Sequence, residues 1–359
     1  MLTALGLRLR LRVFLALAVS AGVCFAATPA VGRMARRIGA MDRPGESRRV
    51  HDHPIPRLGG LAILLGLLAG VVLFAPLDRG TRGILWGCLV IAGLGTADDL
   101  WDLNPWVKLL GQTLAAVIAL CCGVEIHILT NPVHFAGGTL SLGGLSVPVT
   151  LLWIVGMTNA LNLIDGLDGL AAGVSLISCA CMLAVSLFLP EATSVSVMLG
   201  ALGGACLGFL PYNRNPARIF MGDTGALLLG YVLSTASVLG LFKMYTAATF
   251  AMPLLILALP LFDTVFAVTR RLSHGESPLK PDRGHVHHRL LAMGFSQKQA
   301  VAVLYAVSAI MGLAAVMLSA GGAARFWLLL LAVLVAAGAW LYVFTRRPQP
   351  DEKKDEKEK

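Results

Sequence analysis

Long apolar segments, repeated along the chain, most constrain what this sequence can fold into. The 359 residues are 57% hydrophobic and 14% charged, with a mean hydropathy of +0.76, whereas soluble domains carry about 25% charged residues. A helix needs about 20 mostly apolar residues to span a bilayer. About eleven such segments lie near 11–32, 59–76, 83–100, 106–123, 148–163, 167–189, 194–210, 223–241, 246–269, 300–319 and 324–344. The sequence therefore predicts an all-α polytopic membrane protein, with ten spans if the fifth and sixth segments form one.

Lysine and arginine are distributed unevenly between the connecting loops. If residues 33–58 lie in the cytoplasm, the cytoplasmic segments hold 22 basic residues and the other side holds seven. Positive loops stay on the cytoplasmic side, so this split sets the orientation. The basic start and apolar middle of the first segment resemble a signal peptide. Because the apolar run continues to Val31, we expect an uncleaved helix.

The loops and the tail predict one domain with little structure outside the membrane. Residues 124–147 form the only sizeable external loop, and their alternating pattern with Gly-Gly breaks predicts a short β-hairpin. Residues 1–345 are predicted to form a single membrane domain, and the charged residues 346–359 a disordered cytoplasmic tail. Seven cysteines lie in apolar runs without a CxxC pair, which favours neither disulfides nor a zinc site.

Acidic residues gather at the cytoplasmic ends of the predicted spans, where buried charge is costly and usually functional. Asp98 and Asp99 end the third span. Adjacent like charges repel unless a cation lies nearby, and carboxylate oxygens suit Mg²⁺ alongside substrate phosphates. We predict that both residues are catalytic and bind Mg²⁺, with Mn²⁺ as the alternative ion. Asp42 is expected to be solvated.

A second acidic motif, NALNLIDGLDGLAAG, covers residues 159–173. Asn162, Asp165 and Asp168 are spaced by three, so successive members are neighbours on a helix surface. The glycines allow a ligand or a backbone to approach closely. We predict that these three residues bind substrate.

A third motif, GDTG at 222–225, opens the eighth span. Asp223 either caps the helix or binds a metal, and the other acids nearby favour the metal, with a catalytic role. The positive end of the helix dipole suits a phosphate, and Phe220 can stack on a base. Asp263, seven residues before Arg270, lies about 10 Å inside the membrane boundary and is predicted to bind substrate.

The fourth motif is a cluster of histidines and basic residues in the loop after the ninth span. Zinc would require cysteines or a wider ligand set, whereas imidazoles beside arginines suit phosphate oxygens. The four motifs together predict a magnesium-bound diphosphate that meets a membrane substrate in a phosphoryl transfer. The residues predicted here to bind substrate are His285, His287, His288 and Arg289.

Six stretches, in order, resemble the polyprenyl-phosphate N-acetylhexosamine-1-phosphate transferases. They are DRPGESRRVHDHPIPRLGG (42–60), GTADDLWDL (95–103), NALNLIDGLDGLAAG (159–173), FLPYNRNPARIFMGDTGALLLG (209–230), PLFDTVFAVTRRL (260–272) and HVHHRLL (285–291). The resemblance implies transfer of a sugar-1-phosphate from a UDP-N-acetylhexosamine to undecaprenyl phosphate. It also implies release of UMP, use of magnesium, and a site on the cytoplasmic face of a bacterial inner membrane.

The resemblance also assigns roles to particular residues. Asp223 matches the family's magnesium-binding aspartate, and Asp98 and Asp99 match an acidic pair whose first member is proposed as base toward the lipid phosphate. A phosphate monoester is mostly dianionic at pH 7, so Asp98 is instead expected to orient the nucleophile or bind metal. The residues that match the nucleotide and donor side are Asn162, Asp165, Asp168, Phe220, His285, His287 and His288.

The histidine motif separates two branches of this family. Relatives that take the muramoyl-pentapeptide donor resemble each other in an unbroken histidine run followed by Phe-Glu, whereas this chain reads His-Val-His-His-Arg-Leu. It therefore looks like the branch that uses UDP-N-acetylglucosamine and starts cell-envelope glycans. The expected partners are the donor, undecaprenyl phosphate and the bilayer, without nucleic acid; a homodimer is left open.

Two other classes of membrane protein fit the sequence less well. An ion-coupled transporter also uses membrane acids, but its site lies near the midplane between repeats, whereas these acids crowd one edge and no repeat is visible. A CDP-alcohol phosphotransferase needs an arginine where this chain has Gly173.

Overall fold

The structure is a computed structural model that describes residues 2–42, 54–130, 139–187, 193–241, 251–275, 284–319 and 333–334. Two antiparallel strand pairs accompany the helices: β1 (Met41–Asp42) with β2 (Ile55–Pro56), and β3 (Ile128–Thr130) with β4 (Thr139–Ser141). The helices are α1 (Leu2–Ile38), α2 (Gly59–Phe74), α3 (Arg79–Trp101), α4 (Pro105–Cys121), α5 (Ser146–Ile164), α6 (Leu170–Ser186), α7 (Thr193–Asn213), α8 (Gly222–Ala236), α9 (Ala251–Ile256), α10 (Ala258–Ser273), α11 (Val286–Ala292) and α12 (Gln297–Ser319).

Six helices of the described ranges are long and apolar enough to cross a bilayer. They are Gly6–Ile38, Arg79–Trp101, Gly143–Ile164, Thr193–Asn213, Gly222–Gly240 and Gln297–Leu318. The helices α2, α4 and α6 are also apolar but shorter. The prediction of an α-helical multi-pass membrane protein is confirmed, whereas the number of eleven spans stays a prediction. Most of the predicted last span, 324–344, and the tail 346–359 lie outside the described residues.

Two details of the predicted elements can be compared with the structure. The β-hairpin is confirmed by the pairing of β3 with β4, in which Leu129 lies opposite Leu140; its turn, 131–138, lies outside the described residues. The helix predicted at 246–269 is divided into α9 and α10 at Leu257. The short pair β1–β2 is not anticipated by the sequence, because two-residue strands carry no periodic pattern.

The centre of the bundle is formed by α7 and α8, whose residues are almost all buried. Three glycines of α7 (Gly200, Gly204 and Gly208) face the backbone of α1. A Cβ at Gly204 would overlap the carbonyl oxygen of Leu17. Small residues at such a crossing let two membrane helices approach closely enough for their backbones to pack, which explains the glycine spacing of four.

We expect Gly204→Ala to destabilise the protein by about 1–3 kcal/mol, because the added methyl group overpacks the contact between α7 and α1. Gly22→Ala in α1 is the matched control, since a Cβ there meets nothing within 4 Å. The measurement is the thermal unfolding midpoint of each variant in detergent. Equal midpoints for Gly204→Ala and the wild type would show that the close crossing contributes nothing to stability.

Several helix ends meet at one end of the bundle. The end of α3 contacts the start of α4 through Lys108 and Asp98. The start of α2 contacts the residues before α8, where the Gly59 N–H donates to the Phe220 carbonyl at 2.9 Å. The first and third sequence motifs meet at this end, where the Asp223 N–H donates to Asp99 at 2.9 Å.

Candidate active site

The first turn of α8 is held by a carboxylate from another helix. Asp99, near the end of α3, accepts hydrogen bonds from the backbone N–H of Asp223 at 2.9 Å and of Thr224 at 3.1 Å, and from the Thr224 hydroxyl at 2.7 Å. The residue at the cap position, Met221, makes no side-chain cap. Free N–H groups at a helix start need acceptors, and Asp99 supplies them, so Asp223 does not cap its own helix.

Lys108 joins the other two acids of this cluster. Its Nζ lies 2.5 Å from Asp98 Oδ2 and 3.2 Å from Asp223 Oδ2. The Asp98 side chain is 4% exposed and also accepts from the Leu103 N–H at 2.8 Å, whereas the Asp223 side chain is 31% exposed. Asp223 is therefore the carboxylate of this pair that a ligand can reach. The sequence analysis treated Lys108 only as a basic residue at a membrane boundary. Its position at the start of an apolar segment was the one feature that could have marked it as a site residue.

The prediction of a magnesium site can be tested against this geometry. Two carboxylates, Asp98 and Asp223, converge on one ammonium group, so the position accepts a cation. The oxygens of Asp99 are directed to the start of α8 instead. Within the described ranges, no group of three or more His, Cys, Asp or Glu residues is arranged to hold a metal. Because Mg²⁺ needs only one or two protein carboxylates when phosphates and water complete its shell, Asp98 and Asp223 fit this ion, and Asp99 as a ligand stays a prediction.

Asp165 stands at the end of α5, close to the same acids. Burial raises the pKa of Asp165 to about 8, and the negative charges of Asp223, Asp99 and Asp168 act in the same direction, while Arg57 opposes them. This carboxyl is therefore mostly protonated at pH 7 in the absence of an added cation. The Asn162 side chain, three residues earlier, interacts with Asp223, which confirms that the second and third motifs adjoin.

Asp168 accepts hydrogen bonds from a loop of the protein. Its Oδ2 accepts from Asn215 Nδ2 at 2.9 Å and from the Ala217 N–H at 3.0 Å. The next residue, Gly169, donates its N–H to Asn213 Oδ1 at 3.2 Å. These bonds hold the loop 214–220, which leads to Phe220 and α8. The predicted contact of Asp168 with substrate stays a prediction.

Asp263 is a buried carboxylate of α10 that fixes the histidine motif. It is 2% exposed, and its two oxygens lie 2.8 Å from His285 Nδ1 and 3.0 Å from the Val286 N–H. The second bond satisfies an N–H at the start of α11. Asp263 therefore orients His285, and the direct contact with substrate predicted for it is not tested.

His287 brings the histidine motif to the acidic cluster. Its ring packs against Gly166, where a Cβ would overlap the imidazole, and it is 4% exposed. Burial, together with the charge of His288, lowers the pKa of His287 to about 3. The imidazole is therefore neutral at pH 7. It stacks on His285 with centroids 5.9 Å apart.

Two further residues were predicted to bind substrate. Arg289 belongs to the histidine motif, and Phe220 lies just before the third motif. Arg289 places its guanidinium 5.4 Å from the centroid of the Phe266 ring, and the guanidinium of Arg270 lies 5.6 Å from the same centroid, which keeps two cations near the histidines. Phe220 is partly exposed, directly before α8. Its backbone N–H donates to the Pro56 carbonyl at 2.9 Å.

The expectation that Asp42 is solvated is wrong. The residue is 4% exposed and forms an ion pair with Arg57. A carboxylate at the end of a basic loop carries no sequence signal of burial, and the pairing of β1 with β2 creates the partner. Arg57 is a second cation near the acids, after Lys108, that the sequence did not single out.

The fold and this site define a class: α-helical multi-pass membrane proteins with an acidic, histidine-flanked site at one end of the bundle. Residues 81–241 match the family described as Glycosyl transferase family 4. The chain is 41% identical over 327 residues, covering 90% of this chain and 89% of the relative, to a protein of Bacillus subtilis (strain 168) named "Probable undecaprenyl-phosphate N-acetylglucosaminyl 1-phosphate transferase".

Two other relatives also match most of this chain. A protein of Mycobacterium tuberculosis (strain ATCC 25618 / H37Rv), named decaprenyl-phosphate N-acetylglucosaminephosphotransferase, is 36% identical over 79% of this chain and 76% of its own. A phospho-N-acetylmuramoyl-pentapeptide-transferase of Desulforudis audaxviator (strain MP104C) is 33% identical over 82% and 97%. The chain belongs to glycosyl transferase family 4, and the resemblance inferred from its motifs is confirmed.

Proposed function

We propose that this enzyme transfers N-acetylglucosamine-1-phosphate, or a related N-acetylhexosamine-1-phosphate, from a UDP-sugar to undecaprenyl phosphate and releases UMP. The observation that carries the proposal is the convergence of Asp98, Asp223 and Lys108 beside Asp165 and His287 at one end of a membrane bundle. The names of the Bacillus and Mycobacterium relatives support the same reaction. The basic loops favour the cytoplasmic face of the bacterial inner membrane.

In the proposed reaction, an oxygen of the lipid phosphate attacks the β-phosphorus of the donor. One bond forms between them, and the bond from the β-phosphorus to the bridging oxygen breaks, so UMP leaves with the electron pair. Mg²⁺, when bound by Asp223 and Asp98, would neutralise charge on the phosphate oxygens. A trapped sugar-phosphate adduct of the enzyme would contradict this one-step path.

In the proposed reaction, Asp98 orients the attacking lipid phosphate or binds the metal, and it need not remove a proton. The lipid phosphate is mostly dianionic at pH 7, and Asp98 is already paired with Lys108. Asp99 positions Asp223 through the first turn of α8. The positive end of α8 faces the same place and favours an anion there. Phe220, Asn162 and the histidines are assigned to the nucleotide and sugar side of the donor.

A donor panel tests the proposal. Purified enzyme with Mg²⁺ and undecaprenyl phosphate receives either radiolabelled UDP-N-acetylglucosamine or the labelled UDP-N-acetylmuramoyl-pentapeptide. We expect the first donor to label the lipid fraction with stoichiometric UMP and the second to leave it unlabelled, because the histidine motif is broken by Val286. Labelling by the second donor alone would favour the reaction for which the Desulforudis relative is named. Donor turnover without lipid product would favour another class.

A further inference from the structure

Arg57 lies where the chain passes from β2 to α2, beside the residues that precede α8. The Pro56 carbonyl accepts from the Phe220 N–H at 2.9 Å, and the Gly59 N–H donates to the Phe220 carbonyl at 2.9 Å. The N–H of Arg57 itself donates to the Ala40 carbonyl at 3.0 Å. The backbone of Arg57 is therefore fixed between two residues that bond to Phe220, on the wall of the candidate site.

The residue after Arg57 has an unusual backbone. Leu58 adopts the left-handed conformation, with φ of 75°, and its side chain is fully buried. Non-glycine residues rarely adopt this conformation, and they do so chiefly where surrounding structure enforces it at functional sites. Here the turn directs Leu58 into the core while the Arg57 side chain stays 32% exposed.

Arg57 is held from one side by a buried acid. The ion pair with Asp42 joins it to a carboxylate whose side chain is 5% exposed. A guanidinium presents five N–H donors in a planar fork, and one carboxylate can engage no more than one edge of that fork. The exposed remainder of the group is thus pre-oriented, so a second anion can bind it with little further loss of side-chain entropy.

The charge of Arg57 acts on the acidic cluster. It lowers the pKa of Asp165, against the increases caused by burial and by Asp223, Asp99 and Asp168. The guanidinium therefore lies close enough to Asp165 for its charge to act on that carboxyl. A donor diphosphate that binds beside these carboxylates needs cations to offset the repulsion. Lys108 is already shared between two carboxylates, so a further cation is required.

We propose that Arg57 binds the diphosphate of the nucleotide-sugar donor and positions the phosphate of the leaving nucleotide. The inference rests on the proposed function and adds a residue that neither the sequence motifs nor the relatives' names assign. Arginine suits this role because its fork matches phosphate oxygens in pairs. As the bond to the bridging oxygen breaks, charge develops on the nucleotide phosphate, and a fixed cation there stabilises it.

The test compares ligands with and without phosphate on the purified full-length enzyme. Dissociation constants for UDP and for uridine are measured for the wild type, Arg57→Gln and Arg57→Lys. Arg218→Gln, an exposed arginine in the adjacent loop, is the matched control. We expect Arg57→Gln to weaken UDP binding by about ten- to a hundredfold, as for a lost charged hydrogen bond. Uridine binding and the KM for undecaprenyl phosphate should not change, and Arg57→Lys should be intermediate.

A second variant separates phosphate binding from folding. Arg57→Gln removes one partner of the ion pair with buried Asp42, which is itself destabilising, so the double variant Asp42→Asn/Arg57→Gln removes both charges. We expect the double variant to lose UDP affinity as the single variant does and to retain uridine binding. Wild-type UDP affinity in either variant, or loss of uridine binding in both, would overturn the proposal. Wild-type enzyme that binds UDP but forms no lipid-linked product would instead count against the proposed function.

Discussion

Asp223→Asn should lower turnover by at least about a hundredfold while the protein still inserts and folds. Asp223 is the more exposed carboxylate of the pair that converges on Lys108, so it is the acid that a metal-bound diphosphate can reach. An amide keeps the shape but removes the charge that would hold the cation, and loss of one well-placed electrostatic contact in a site typically costs this much. The measurement is transfer of labelled sugar phosphate to undecaprenyl phosphate at saturating donor.

The matched control is Glu125→Gln, which makes the same carboxylate-to-amide change near the hairpin, where Glu125 lies 3.8 Å from His127. It should express and turn over as the wild type does. Size-exclusion profiles and thermal midpoints in detergent report on folding for both variants. Full turnover in Asp223→Asn would remove this residue from the metal role, and the acidic pair at the end of α3 would then have to hold the ion without it.

Gly95→Ala should reduce turnover by about a hundredfold through a movement of α8. A Cβ at Gly95 would overlap the backbone of Thr224, so α3 and the start of α8 must separate. The hydrogen bonds from the first turn of α8 to Asp99 would lengthen, and Asp223 would shift relative to Asp98. A displacement of about 1 Å in a reacting site costs on the order of a hundredfold. The kcat for lipid product, measured with saturating substrates, reports the effect.

Gly93→Ala serves as the control in the same helix, two residues away, because a Cβ there meets nothing within 4 Å. It should leave kcat unchanged and differ from the wild type only in helix propensity, where alanine is favoured. If both variants lose activity equally, the defect belongs to α3 in general. If Gly95→Ala is fully active, the close approach of α3 to α8 is not needed to place Asp223.

The sequence showed which acids lie together at one end of the bundle, but it did not show their contacts. Acidic residues at apolar segment ends are visible because charge is costly there, which singled out Asp98, Asp99 and Asp223. Their division of tasks was not visible: Asp99 caps a helix that begins more than 120 residues later. Local patterns say nothing about such distant partners, so the capping role of Asp99 could not be inferred from its position in the sequence.

The same limit applies to the cations. Local pattern alone accounts for both residues. Lys108 is explained as a basic residue at a membrane boundary, and Arg57 is explained as one of several arginines in a basic loop. Asp223, which Lys108 contacts, comes from another helix, and Asp42, which pairs with Arg57, lies 15 residues earlier in the same loop. The bundle itself was predictable, because apolar length and loop charge follow from the bilayer. The number of spans was harder to predict, because α2, α4 and α6 are shorter than a bilayer core requires.

The ammonium of Lys108 bears on how this end of the bundle responds to the loss of divalent cations. Two carboxylates that would repel each other are tethered by a covalently attached counter-charge. Their spacing therefore does not depend on a dissociable ion, and depletion of divalent cations need not loosen the helices that carry them. Under the proposed use of Mg²⁺, removal and return of the ion would exchange ligands at Asp223 and Asp98 without refolding of these helices.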